Sequence, residues 1–134
     1  MAQSEAARAG PGGRRHGRTG LKILVTVQDH SIAPRFDPTT EVLIATGEAG
    51  LLQGQVRTII LPHRSAEELS DLIVKEGIDC LVCGGIEDSF YRFFKWKKIR
   101  VYDSVIGAHA EALQLALTGR LRPGMVLPSA RAGR

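Results

Sequence analysis

Alternating apolar and polar residues predict strands in the first half of the chain. In residues 21–27, Ile23, Val25 and Val27 fall on one face and Leu24 and Thr26 on the other, which is the period-two arrangement of a β-strand. Residues 41–46 and about 53–61 are also strand-like, and a glycine-bounded turn at 47–50 joins them. Because a turn this short connects antiparallel neighbours, the first half is predicted to be a β-meander.

The hydrophobic period changes from two to about 3.6 after residue 61, which predicts helices. Ser65 followed by Glu68 is a capping box, and an apolar stripe at helical spacing continues from there until Gly77 ends it. The same spacing predicts a second helix at about 88–97 and a third at about 109–118. The second half is therefore expected to alternate helices with short strands.

A short apolar segment at residues 78–86 lies between the first two predicted helices and is ended by Gly84 and Gly85. A continuous apolar run of this length is typical of a strand buried on both faces in the parallel part of a sheet. Residues 99–102 predict a fifth strand, joined by a parallel crossover. Open α/β sheets bind ligands beyond the carboxyl ends of such strands, so a site is predicted near Cys83 to Gly85.

These elements predict one α/β domain over residues 21–119, with a mixed five-stranded sheet, helices on its faces and the order βββαβαβα. Residues 1–20 are rich in alanine, glycine and arginine and are predicted to be a disordered basic tail. Residues 120–134 are predicted to be a flexible basic tail, because Pro123 and Pro128 oppose a continued helix.

The positive charge of the chain lies in these tails. Each carries four arginines, against one glutamate in the first tail and no acid in the second, whereas residues 21–119 carry ten basic and thirteen acidic residues. Solvated tails explain this pattern, so nucleic-acid binding is not expected. No apolar run has the roughly 20 residues of a membrane span, and no signal-peptide core is present. We therefore expect a cytoplasmic protein without membrane contact, with its two cysteines as free thiols.

Three short sequences, together with the element order, resemble a known family. They are Lys-Ile-Leu-Val-Thr-Val at 22–27, Ala-Pro-Arg-Phe-Asp at 33–37 and Cys-Gly-Gly-Ile at 83–86, followed by a last helix after Gly107. Over residues 21–119 the chain resembles the dinitrogenase iron-molybdenum cofactor biosynthesis family, the NifX/NafY-like domains of nitrogen fixation. The resemblance implies a ribonuclease-H-like three-layer α/β/α fold. It also implies a non-catalytic carrier of iron-sulfur or iron-molybdenum cluster precursors, with metal-cluster assembly proteins as partners.

One residue departs from this family pattern. Cluster-binding relatives have a His-Phe-Gly sequence in the loop after the first strand, where this chain has Arg35, Phe36 and Asp37. Arginine stays protonated and offers no lone pair, so Arg35 cannot replace a histidine ligand, although it can pair with an anionic cluster. His30, five residues earlier in the same loop, is the candidate substitute.

Six residues make up the predicted binding site, in the loop after the first strand, at the end of the buried strand and in the loop from Asp103 to His109. They are His30, Arg35, Cys83, Gly84, Gly85 and His109. Cys83, His30 and His109 are the candidate metal ligands. Cys80 is predicted to be a core residue without a disulfide to Cys83, because residues three apart in a strand point to opposite faces.

No catalytic arrangement is recognisable, so no enzyme activity is expected. The carboxylates of Asp29, Asp37 and Asp103 are too scattered for a two-metal site. Two glycines before a helix are typical of a phosphate site, yet Glu87 and Asp88 place negative charge in that first turn and would repel a nucleotide.

Residues 90–98 interleave aromatic and basic side chains, a pattern shared with proteins that bind single-stranded nucleic acid. Most of these aromatics follow helical spacing and are predicted to be the buried stripe of the second helix. Tyr91 and Trp96 lie off that stripe and mark an exposed contact patch. A protein-interaction or regulatory module that keeps the fold without binding a cluster is therefore the alternative to a carrier, and Arg35 supports it.

Overall fold

The structure is a computed structural model, and it describes residues 20–132. The strands are β1 (Leu21–Gln28), β2 (Ser31–Ile32), β3 (Glu41–Glu48), β4 (Leu51–Ile60), β5 (Cys80–Val82) and β6 (Arg100–Tyr102). The helices are α1 (Ala66–Lys75), α2 (Asp88–Trp96), α3 (His109–Leu117) and α4 (Pro128–Ala132). The predicted order of strands and helices is found, with the short β2 and α4 added to it. The predicted disorder of residues 1–19 lies outside the described part of the chain.

β1 is the central strand of the sheet order, with two strands on each side. It runs antiparallel to β3 and parallel to β5. β4 adds to β3 in the antiparallel sense, and β6 adds to β5 in the parallel sense. The sheet order is therefore β4-β3-β1-β5-β6, with β2 paired to the end of β1. The sheet is mixed, as predicted, but has six strands instead of five because the loop after β1 turns back on it.

Alternate residues of β1 supply two separate cores, one on each face of the sheet. Leu24 packs with Leu69 of α1 and Phe94 of α2. Ile23 packs on the opposite face with Ala112 of α3. All five side chains are fully buried. The predicted α/β class is thus confirmed, with helices covering both faces of the sheet.

The first helix begins as the sequence predicts. The Ser65 hydroxyl oxygen accepts a hydrogen bond of 3.1 Å from the backbone N–H of Glu68, which satisfies one of the free donors of the first turn. The same helix buries Leu69 and Ile73 at the predicted spacing. Within residues 20–132, no helix combines the length and apolar character needed to cross a bilayer.

Residues 120–132 pack against the domain, which corrects the prediction of a flexible tail. Leu121 and Leu127 are buried in the same core as α3. The backbone of Ile106 donates to the Met125 carbonyl at 3.0 Å and accepts from the Leu127 N–H at 2.9 Å. Pro128 then begins α4, because its fixed φ and missing N–H suit the first position of a helix. The prediction of a flexible tail rested on the prolines and the net charge of this segment. It gave no weight to Leu121 and Leu127, which anchor the segment in the core.

Candidate functional site

A cleft of about 720 Å³ opens where the parallel strands end. Residues 30–32 and 34 line it after β1, Gly84 and Gly85 line it after β5, and residues 104–108 line it after β6. Residues 129–130 of α4 complete the wall. This is the place at which open α/β sheets bind ligands, and the place at which the sequence predicts a site.

Gly84 and Gly85 bring two loops into close contact at the floor of the cleft. The Gly85 N–H donates to the Pro34 carbonyl at 2.8 Å, and the Phe36 N–H donates to the Gly85 carbonyl at 2.8 Å. A side chain at Gly84 would collide with the carbonyl oxygens of Ala33 and Pro34. Gly84 is therefore required by the packing of the two loops, independently of any ligand.

His30 and His109 are joined through the backbone. The His109 N–H donates to the His30 carbonyl at 3.0 Å, which ties the loop after β1 to the start of α3. The His30 side chain is exposed and lines the cleft. His109 is half-buried and lies beside the cleft wall, and its Nδ1 is buried without a hydrogen-bond partner among the described residues. Of the two predicted imidazole ligands, His30 is the one placed to meet a ligand.

Cys83 lies in the core behind the cleft instead of in its wall. Its side chain is fully buried in the same cluster as Phe36 and Phe94. Burial raises the pKa of the Cys83 thiol well above its ordinary value, and the negative charge of Asp103 raises it further. Only the thiolate is a good metal ligand, so this position does not suit the predicted ligand role.

The other thiol lies on the opposite side of the sheet. Cys80 is buried in the core that contains α3, whereas Cys83 belongs to the core that contains α1 and α2. The two thiols do not form a disulfide with each other. The predicted divergence of the two side chains is confirmed.

Arg35 lies at the rim of the cleft, beside Gly85. The two residues form a parallel β-bridge, and Nη1 of Arg35 is 3.5 Å from the position that a Cβ at Gly85 would take. The guanidinium is largely exposed and forms a loose ion pair with Asp37, in which Nη2 and Oδ1 are 3.4 Å apart. Arg35 is therefore free to turn its charge toward a ligand in the cleft.

Sequence reasoning missed the contribution of Ser129 to the cleft wall. Its hydroxyl oxygen accepts a hydrogen bond from the Ala108 N–H at 2.9 Å, just before α3 begins. Its own N–H donates to Oε1 of Glu111 at 3.0 Å. The apolar Leu121 and Leu127 in an otherwise basic segment were the available signal that this part of the chain packs.

No group of three or more histidine, cysteine, aspartate or glutamate side chains within residues 20–132 is arranged to hold a metal ion. The three predicted metal ligands are accordingly not brought together: His30 faces the cleft, His109 stands beside it and Cys83 is in the core. If a metal cluster binds in the cleft, most of its ligands must therefore come from outside residues 20–132.

No protein-family model matches the chain, and no curated protein matches it. Solved structures do match. The crystal structure of the protein PH0822 superposes with a TM-score of 0.69 at 16% identity, covering 77% of this chain and 94% of that one. A protein from Methanocaldococcus jannaschii, provisionally named a dinitrogenase, gives a TM-score of 0.62 at 22% identity, covering 76% and 92%. A Thermotoga protein of the DUF35 family, provisionally named a NifB protein, gives 0.58 at 17% identity, covering 80% and 97%. At these low sequence identities, the structural similarity shows that the chain shares the fold of these proteins.

Proposed function

We propose that the chain is a non-catalytic binding domain that carries an iron-sulfur or iron-molybdenum cluster precursor in the cleft between β1, β5 and β6. The observation that carries the proposal is the cleft itself, at the ends of the parallel strands, with the exposed His30 among the residues that line it. The fold likeness to proteins provisionally named a dinitrogenase and a NifB protein supports it. So does the sequence resemblance to NifX/NafY-like domains, which also implies the ribonuclease-H-like fold.

The side chains around the cleft suit a loosely held, anionic cargo. Imidazole is a known ligand of iron-sulfur clusters, and His30 offers one at the surface. Arg35 at the rim supplies a positive charge. A single protein ligand leaves the remaining coordination positions to the cargo's own ligands, which favours transfer to an assembly partner over permanent binding.

The composition of the cleft wall supports binding over catalysis. Its polar side chains in the described part of the chain are one imidazole and three hydroxyls, from His30, Ser31, Ser104 and Ser129. A two-metal mechanism needs carboxylates that converge on the metal ions, and no carboxylate lines the cleft in the described part of the chain. The wall supplies surface for holding a ligand and one group that can coordinate it.

Anoxic reconstitution tests the proposal. Protein incubated with iron and sulfide, then desalted, is expected to retain a cluster with visible charge-transfer absorption. His30→Ala should lose most of that absorption, while Cys83→Ala should keep it because the thiol lies in the core. His63→Ala is the matched control, since this exposed histidine lies before α1, among residues that do not line the cleft. Equal uptake by wild type and His30→Ala would contradict the proposal.

Two observations favour a second candidate, an interaction module that keeps the fold without binding a cluster. Arg35 stands where cluster-binding relatives have a histidine, and Cys83 is buried with a raised pKa. On this hypothesis the cleft receives part of a partner protein. Absence of any cluster in the reconstituted wild-type protein, with its cooperative melting intact, would establish this candidate over the carrier.

A further inference from the structure

The last turn of α2 exposes a large aromatic side chain that the core does not use. Phe94 is fully buried, and Phe90 and Phe93 pack against the same core. Trp96, the final residue of the helix, is 72% exposed. Leaving most of an indole in water forgoes the favourable burial of one of the largest apolar side chains.

Three lysines are close to Trp96 in the sequence. Lys95, Lys97 and Lys98 form no ion pair with another residue of the range 20–132, whereas Arg92, one turn earlier, is paired with Asp88 at 2.7 Å. We call residues 95–98 the Trp96 surface. The helix macrodipole favours cations at this end, which accounts for the sign of the charge. It does not account for the exposed indole among them.

The lysine and the indole are already in contact. Nζ of Lys97 lies 5.2 Å from the centroid of the Trp96 ring and 5.8 Å from that of Phe93. These distances are within the range of a cation–π interaction. The ammonium group therefore sits over one face of the indole.

We propose that the Trp96 surface docks a partner protein that presents an apolar pocket rimmed by carboxylates. Charge complementarity selects the acidic rim, because the lysines lack carboxylate partners in the described part of the chain. Tryptophan is enriched among the few residues that dominate binding energy at protein interfaces, and it would fill the pocket. This site goes beyond the cluster-carrying cleft and would serve a different partner surface.

The geometry favours a protein over nucleic acid or a membrane. A nucleic-acid base would have to displace the Lys97 ammonium to stack on that face of Trp96, whereas a carboxylate can pair with the ammonium where it stands. A membrane-surface helix needs a broad apolar face. On α2, Trp96 is the only large apolar side chain that is strongly exposed.

The chain contains one tryptophan, so its fluorescence reports directly on this surface. Full-length protein titrated with a glutamate-rich peptide that carries central leucines is expected to show a saturable blue shift and protection from acrylamide quenching. Affinity should fall several-fold when salt is raised from about 50 to about 200 mM, because the contacts are exposed. Replacing Lys95, Lys97 and Lys98 together by glutamine should weaken binding about tenfold or more, while Lys75→Gln on α1 should leave it unchanged.

Calorimetry with Trp96→Ala gives a second measurement, and we expect an affinity loss of about tenfold or more for a central aromatic anchor. Lys95, Trp96 and Lys98 are exposed and Lys97 is half-buried, so the melting curves of both variants should stay close to that of wild type. Peptide binding that survives the triple lysine replacement would overturn the proposal. So would a stronger response of Trp96 to oligo-dT or to phosphatidylserine vesicles than to the peptide.

Discussion

The two edges of the sheet are built differently. β6 forms one edge with three residues, beginning with the exposed Arg100 and continuing with the buried Val101. β4 forms the other edge with ten residues, most of them exposed, including Leu51 and Ile60, which is 71% exposed. Short length and positive charge protect the β6 edge from pairing with other chains. At β4 a register shift near Gly54, whose φ is 71°, interrupts an otherwise long edge.

The difference separates a covered half of the sheet from an open half. β1, β5 and β6 lie between helices, and their ends form the cleft. β4 supports β3 but contributes little to either core. Strands near the candidate site should therefore tolerate polar substitution poorly, whereas the outer hairpin should tolerate it well.

The largest effect is expected from a charge in the centre of the covered half. Val82→Asp places a carboxylate in a fully buried position of β5, where unpaired burial costs several kcal/mol. We expect loss of the cooperative thermal transition followed by circular dichroism. Thr58→Asp, on the exposed β4, is the control and should melt close to wild type. A soluble, cooperatively melting Val82→Asp protein would show that β5 is not central.

The C-terminal segment offers the next largest test, because it belongs to the covered half. Leu127→Ala removes a fully buried side chain and should lower the free energy of unfolding by about 2 to 5 kcal/mol. Its neighbour Val126 is 40% exposed, so Val126→Ala should change stability by about 0.5 kcal/mol or less. Urea titration measures both. Equal small effects would mean that residues 120–132 detach in solution.

Neighbouring strands allow a direct comparison of the open edge with its covered neighbour. Ile60→Thr on β4 should cost about 0.5 kcal/mol or less, because the side chain is already in water. Ile44→Thr on β3 should cost about 2 kcal/mol or more, since it buries a hydroxyl and loses packing. If both substitutions prove equally costly in denaturant unfolding, another molecule covers the β4 edge in solution.

The smallest effect is expected at Glu76, which follows α1 and forms ion pairs with both halves of the sheet. Oε1 of Glu76 lies 2.7 Å from Nη2 of Arg57 on β4 and 3.2 Å from Nζ of Lys22 on β1. Burial alone would raise the pKa of the Glu76 carboxyl, but hydrogen bonds and charge from these two residues outweigh it and hold the pKa below its ordinary value.

A lowered pKa in the folded state means that Glu76 contributes stability above its unfolded pKa of about 4.3 and loses that contribution as pH falls through the folded value. Glu76→Gln should therefore cost about 1 kcal/mol or less at pH 7, because the partners are partly exposed. The difference from wild type should shrink toward zero in acid, as measured by urea unfolding across pH. A constant difference at all pH values would assign the effect to packing.

The covered half was the easier half to predict. Apolar runs and helical spacing located β1, β5 and the first three helices, because each of these elements buries a regular face. Alternation along the strand also placed Cys80 and Cys83 on opposite faces of the sheet, as found. β4 was predicted as a strand although its side chains are mostly exposed, because the glycine turn before it signals a hairpin.

The sequence did not reveal how deep each site residue lies. Cys83 directly follows β5 and the next residue lines the cleft, yet tertiary packing places the thiol in the buried cluster that contains Phe36. The role of Ser129 depends on contacts with Ala108 and Glu111, about twenty residues earlier in the chain. Local patterns carry no information on such long-range contacts, whereas they do locate the strand ends that form the cleft.

The central position of β1 also bears on the order in which the protein forms during synthesis. Of the strands that the structure describes, β1 emerges first and β3 can pair with it soon afterwards, but its other neighbour begins only at Cys80. Until then that side of β1 has free backbone donors and acceptors, and late pairing between distant segments folds slowly and leaves the chain open to aggregation. The nascent chain is thus most vulnerable between the completion of the β3–β4 hairpin and the arrival of β5, a period in which chaperone contact would have its greatest effect.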